Sequence, residues 1–109
     1  MVKPSSASAT LGLAPDAVYT APKSAAAVLR KVTACNTGTS ARAVTVHLIP
    51  SGGSANVSNT VVSATSVPAG STVDLELADH SIDAGGTVTA YSDGQGAVAL
   101  RVSVLEVPL

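Results

Sequence analysis

The chain has no tryptophan and no phenylalanine, and Tyr19 and Tyr91 are its whole aromatic complement. Aromatic side chains usually dominate core and interface energetics. A core here must instead be assembled from many small β-branched and aliphatic groups, an arrangement that suits thin, closely approached sheets. The same scarcity argues against a base-stacking platform for single-stranded nucleic acid and against an aromatic sugar-binding face.

Charge is scarce as well. Only 12% of the residues are charged and the net charge is −1, against about 25% charged in an average globular chain. The six basic residues, Lys3, Lys23, Arg30, Lys31, Arg42 and Arg101, are scattered along the sequence, so no nucleic-acid footprint is expected. A surface covered mainly by Ser, Thr, Gly and Ala is weakly defended against association. That suits a subunit of an assembly.

A single cysteine, Cys35, excludes an intrachain disulfide and a cysteine metal cluster. It reads as a small buried hydrophobe. No apolar run approaches the roughly 20 residues of a membrane-spanning helix. The segment from Met1 to Thr10 lacks the apolar core of a signal peptide. The chain is therefore expected to be made soluble in the cytoplasm, with no membrane partner, and the Asn56-Val57-Ser58 sequon is expected to be without meaning.

What is present is valine, alanine and turn residues. The 109 residues suffice for one domain with one modest core. Residues 1–10, rich in Ser, Ala and Thr, read as a flexible N-terminal arm able to order on a partner. Residues 11–109 read as the domain. Ala17 to Thr20 is a short strand ended by Ala21-Pro22. The alanine-rich stretch from Ala25 to Asn36 tempts a helix assignment, but Val28, Val32, Thr33 and Cys35 are poor helix formers and Asn36-Thr37-Gly38 closes it like a turn. As a strand it places Val28, Arg30, Val32 and Ala34 on one face and Leu29, Lys31, Thr33 and Cys35 on the other.

Later segments alternate more cleanly. Val44, Val46 and Leu48 are expected inward, with His47 on the polar face. Val61 to Val67 is extended. Val73, Leu75 and Leu77 alternate with Asp74 and Glu76, and Val88 with Thr87 and Thr89. Val98, Leu100, Val102 and Val104 oppose Ala99, Arg101, Ser103 and Leu105. Asp93-Gly94 predicts a tight hairpin between the last two strands. Val67-Pro68-Ala69-Gly70-Ser71-Thr72-Val73 and Ile82-Asp83-Ala84-Gly85-Gly86-Thr87-Val88 echo one another, as two copies of a sandwich corner would. About seven strands with short connections indicate an all-β, antiparallel β-sandwich of jelly-roll or Ig-like type.

No chemistry-bearing constellation emerges. Asp79, His80 and Asp83 match no strong metal-ligand spacing. There is no Gly-x-Ser-x-Gly elbow, and the Gly-Gly pairs open no helix that would cradle a phosphate. An enzyme is not expected, nor is a cofactor. The exposed loops at residues 51–60 and 78–86 are the places where recognition of a receptor or glycan would reside.

Several stretches together carry a resemblance. They are Val18-Tyr19-Thr20-Ala21-Pro22, the strand Ala27 to Thr37, Ala43-Val44-Thr45-Val46-His47-Leu48, and Val67 to Leu75. The pattern resembles small β-sandwich virion structural proteins of tailed bacteriophages, over roughly Leu11 to Val107. The resemblance implies a capsid decoration (cement) protein, with a neck or collar component or a tail-fibre accessory module as the alternative. It implies the major capsid protein or other virion subunits as partners, a homo-oligomer such as a trimer, and location in the virion. The residues expected at subunit contacts are Lys3, Pro4, Leu11, Leu13, Arg30, Arg42, Asp74, Glu76 and Arg101.

Overall fold

Alternating valines and leucines write the last strand, β9 (Val98–Pro108), into the centre of the molecule. Val98, Leu100, Val102 and Val104 are completely buried, and Arg101 between them is exposed. In the computed structural model, which describes residues Val2–Leu109, β9 is flanked by β1 (Lys3–Thr10) and β3 (Ala25–Asn36). The short β6 (Thr72–Asp74) and β7 (Ser81–Ile82) continue the sheet on the far side of β3. A second sheet runs β2 (Asp16–Thr20), β8 (Thr87–Ser92), β4 (Arg42–Ile49), β5 (Thr60–Val67). All pairs are antiparallel.

The pairings nest: β1 with β9, β2 with β8, β3 with β6 and β7, β4 with β5. A long hairpin whose tip is residues 50–59 gives this pattern when it is rolled over on itself. With β6 and β7 taken as one interrupted strand, the two sheets have the strand order of a jelly roll. The antiparallel sandwich expected from the sequence is therefore present. It has nine strands rather than about seven, because β6 and β7 are separate pieces and the N-terminal segment adds one more.

That segment departs from a free arm. Lys3–Thr10 pairs residue for residue with Glu106–Ala99. Ser, Ala and Thr pack well enough on a pleated surface to form an edge strand, and Ala7 leans on the core. Met1 of the expected arm lies outside the described residues.

The faces of β3 also differ from strict alternation. The register slips between Leu29 and Lys31, so Ala27, Leu29, Val32 and Ala34 all point inward at 0% exposure. A bulge inserts one residue and flips the parity of everything beyond it. Cys35 consequently faces outward and is half-buried rather than buried. Opposite the bulge, residues 75–80 leave strand geometry. Leu75 N–H donates to Val32 O at 2.9 Å and Leu29 N–H to His80 O at 2.7 Å, while Glu76 and Asp79 adopt positive φ. The strand expected through Leu77 thus stops at Asp74, although Leu75 and Leu77 remain in the core. Val44 and Val46 are fully buried and Leu48 is half-buried.

The Asp93-Gly94 hairpin is not formed. β8 and β9 belong to opposite sheets, and residues 93–97 carry the chain across the sandwich. Ser92 N–H donates to Gly12 O, Asp93 N–H to Ala43 O and Gly96 N–H to Leu11 O. These partners hold the crossing where a hairpin ladder would otherwise run. The two echoing corners are both real crossings. Val67 and Ile82 anchor them in the core, and Gly70 and Gly85 take φ of 71° and 80°, the third position of a type II turn.

Candidate functional site

Three surfaces stand out, each built by a different device. The first is a groove on the outside of the second sheet. Cross-strand pairing places Thr45 beside Tyr91 and His47 beside Thr89. The rings of His47 and Tyr91 stack with centroids 6.2 Å apart and planes at 23°. His47 is only 7% exposed, more covered than the polar strand face expected for it, because the loop before β5 folds over it. The Asn59 amide orientation is fixed by its own partners: Oδ1 accepts from Asn56 N–H at 3.0 Å and Nδ2 donates to Ser54 O at 2.9 Å. That same Oδ1 lies 3.0 Å from His47 Nδ1. An amide oxygen only accepts, so Nδ1 carries the hydrogen in the neutral ring, and Nε2 is left as an acceptor.

The loop wall is preorganised. Asn56 caps a single 3-10 turn, Val57–Asn59, by accepting from Ser58 N–H. Thr60 Oγ1 donates to Asn56 O at 3.0 Å. Val57 is thereby held outward, 92% exposed, and Leu13 on the opposite rim is 62% exposed. The groove between them encloses about 640 Å³, with Ser63, Ala64 and Pro15 completing its lining, and it contains no formally charged side chain.

The second surface is the outside of β1, β9 and β3. Arg30, Lys31 and Arg101, which look scattered in sequence, are all exposed on this face. The β3 bulge turns two consecutive basic residues outward, and β9 pairing places Arg101 beside Thr33. Arg30 and Arg101 share a cleft of about 290 Å³ with Pro4, Ser5, Ser6 and Ser103, and no carboxylate lines it. The third surface is the edge formed by residues 74–83, where Asp74, Glu76, Asp79 and Asp83 are all exposed. His80 is exposed there too. Among the described residues no three metal-ligating side chains converge.

The residues expected at subunit contacts are distributed over these faces with three exceptions, Lys3, Leu11 and Arg42. Lys3 lines a notch with Tyr19 and Glu106, Pro4 lines the arginine cleft, and Leu13 forms the groove rim. Asp74 and Glu76 lie on the acidic edge. Leu11, at 1% exposure, belongs to the core instead: its N–H donates to Val98 O, which pulls its side chain between the sheets. Arg42 is half-buried, with its guanidinium against Gly94. The sequence reading missed the His47–Tyr91 floor. The available signal was the Asn56 to Thr60 stretch, whose side chains cap and staple rather than merely solvate a loop. No helix is long and apolar enough to cross a membrane among the described residues.

No protein-family model matches the chain, and no curated protein matches its sequence. Solved structures do match its fold. One is a chain of the acid-stable capsid of Helicobacter pylori bacteriophage KHP30, with a TM-score of 0.59 at 13% identity, covering 97% of this chain and 86% of that one. Another is a chain of the Bacillus endospore appendages, which are disulfide-linked pili. Its TM-score is 0.57 at 18% identity, covering 100% of this chain and 88% of that one. At such identities the shared property is the fold.

Proposed function

We propose that this chain is a virion structural protein that decorates and stiffens a capsid through contacts with neighbouring subunits. The observation that carries this reading is the state of one edge strand in each sheet. β1 and β5 are each eight residues long, and Lys3 is the only charged side chain in the two. Free strand edges are templates for pairing, and proteins that stay monomeric guard them with charges, prolines and bulges. Here β1 has Lys3 and Pro4 at one end only, and β5 has no charge or proline, its register shifting at Ala64, where φ is 47°, and again near Val61. The likeness of the fold to a phage capsid chain supports the same reading, as does the low surface charge. Backbone pairing at these edges and burial of Val, Ala and Thr surface then supply the cohesion. The partners are the major capsid protein or other virion subunits, with copies of this chain among them, and no catalysis or cofactor is involved.

The test is quantitative protein analysis of purified particles with and without this chain. A high copy number, together with loss of particle heat resistance when the chain is removed, supports decoration. A low copy number moves it to the neck or tail, and absence from particles overturns the virion reading.

The uncharged groove favours a second reading, a neck, collar or tail-fibre module that binds a receptor or neutral glycan. Under it, Tyr91→Ala abolishes binding to immobilised neutral oligosaccharides while leaving incorporation into particles unchanged.

A further inference from the structure

The arginine cleft and the acidic edge carry opposite charge and are neighbouring patches of one sheet: Asp79 N–H donates to the carbonyl of Leu29, the residue before Arg30. Arg30 is the extra residue of the β3 bulge, and bulges commonly re-aim a side chain for a purpose. With Arg101 it presents two guanidinium groups, flanked by the hydroxyls of Ser5, Ser6 and Ser103, in a cleft without a carboxylate. Guanidinium forks recognise carboxylates bidentately, and paired forks fix orientation as well as attraction. Lys31 adds a third cation to the same face.

The chain carries seven acidic residues, and four of them, Asp74, Glu76, Asp79 and Asp83, are exposed within ten positions on the margin of that sheet next to β3. Two of these four sit at or beside positive-φ turns, Glu76 and Asp79, which push them out of the sheet plane.

We propose that the Arg30–Arg101 cleft of one copy receives carboxylates from the 74–83 edge of a second copy. The contact either forms twice across a two-fold axis, cleft to edge and edge to cleft, which closes a dimer, or forms once per copy, which gives a ring or an open row. Charge matching of this kind sets register and speeds encounter. This inference stands on the cleft and the edge and does not depend on the virion reading, since self-association is measured on the isolated chain.

The experiment compares three proteins by sedimentation velocity: the parent chain, Arg30→Glu/Arg101→Glu, and Asp74→Lys/Glu76→Lys/Asp79→Lys. Circular dichroism checks that each is folded; all the altered side chains are exposed, so the sandwich is expected to survive. The parent associates at low salt and dissociates toward monomer at about 0.5 M salt, where charges are screened within a few ångströms. Each variant alone associates at least about tenfold more weakly, the scale of one close charge pair. Mixing the two variants restores association, because each supplies the patch the other has reversed. A parent that stays monomeric at low salt overturns the proposal. So does association of either variant at the parent's strength, or a mixture no tighter than its components.

Discussion

Tyr19 donates its phenolic hydrogen to Glu106 Oε2 at 2.5 Å, joining two residues 87 positions apart. Tyr19 lies on β2 and Glu106 on β9, so this bond ties one sheet to the other at the end of the sandwich where Lys3 also lies. Burial raises the Tyr19 pKa well above its ordinary value, and the bond to Glu106 and the carboxylate's charge push it in the same direction. The folded state therefore keeps its phenol proton at pH values where an unfolded chain has released it. The stability due to this shift is intact below about pH 10, the unfolded tyrosine value, and is lost progressively as pH rises above it. Denaturant unfolding between pH 8 and 12 is expected to show a falling stability in the parent and a flatter curve in Tyr19→Phe. That variant is also expected to lose about 1–2 kcal/mol near neutral pH, as a partly buried bond to a charged acceptor does.

Leu11 and Leu13 are neighbours in sequence with opposite fates. Leu11 is enclosed between the sheets, and Leu13 stands at the groove rim. Leu11→Ala is expected to cost about 2–5 kcal/mol through lost burial and the cavity left behind. Leu13→Ala is expected to change stability by less than about 0.5 kcal/mol. Chemical denaturation of the two variants checks this. Equal losses would mean that Leu11 is not a core residue.

The two corner glycines separate backbone strain from steric conflict. Both have positive φ. A Cβ at Gly70 meets nothing within 4 Å, whereas one at Gly85 comes within 2.9 Å of Ser51 Oγ. Gly70→Ala is expected to cost about 1–2 kcal/mol from the left-handed conformation alone. Gly85→Ala is expected to cost more, and Ser51→Gly in the same chain should recover only the excess. Thermal melts of the three variants read this directly.

Asn36 is the polar centre of the first corner. It is fully buried. Its Nδ2 donates to Ser40 O at 2.8 Å and Val67 O at 2.9 Å, and its Oδ1 accepts from Gly38 N–H at 2.9 Å. Asn36→Ala removes these bonds and leaves backbone groups without partners, so a loss of about 2–3 kcal/mol is expected. Asn36→Asp keeps the acceptor and removes both donors, and it is expected to be no better than alanine. Denaturant midpoints compare the two.

Much of this architecture is legible along the chain. The strands from Arg42 to Ile49, Thr87 to Ser92 and Val98 onward follow from two-residue alternation. The corners at Gly70 and Gly85 follow from their shared apolar-turn-glycine pattern. Each of these is a local property: a side chain's face is set by its neighbours one and two positions away, and a left-handed turn by the absence of a Cβ. For the same reason an all-β sandwich could be inferred without any partner contact being known.

What only the tertiary structure decided is everything that depends on which strands meet. Asp93-Gly94 has the local chemistry of a hairpin, yet β8 and β9 pair with different partners, because Leu11, Gly12 and Ala43 supply the backbone bonds that hold the crossing. The bulge at Arg30 answers the irregular stretch 75–80 on the neighbouring strand, and it gathers three basic residues that the sequence spreads apart. Residues 3–10 become a strand only because β9 offers them an open edge. Periodicity is encoded residue by residue, whereas pairing and register are chosen by contacts between segments far apart in the chain, as Lys3 and Glu106 are.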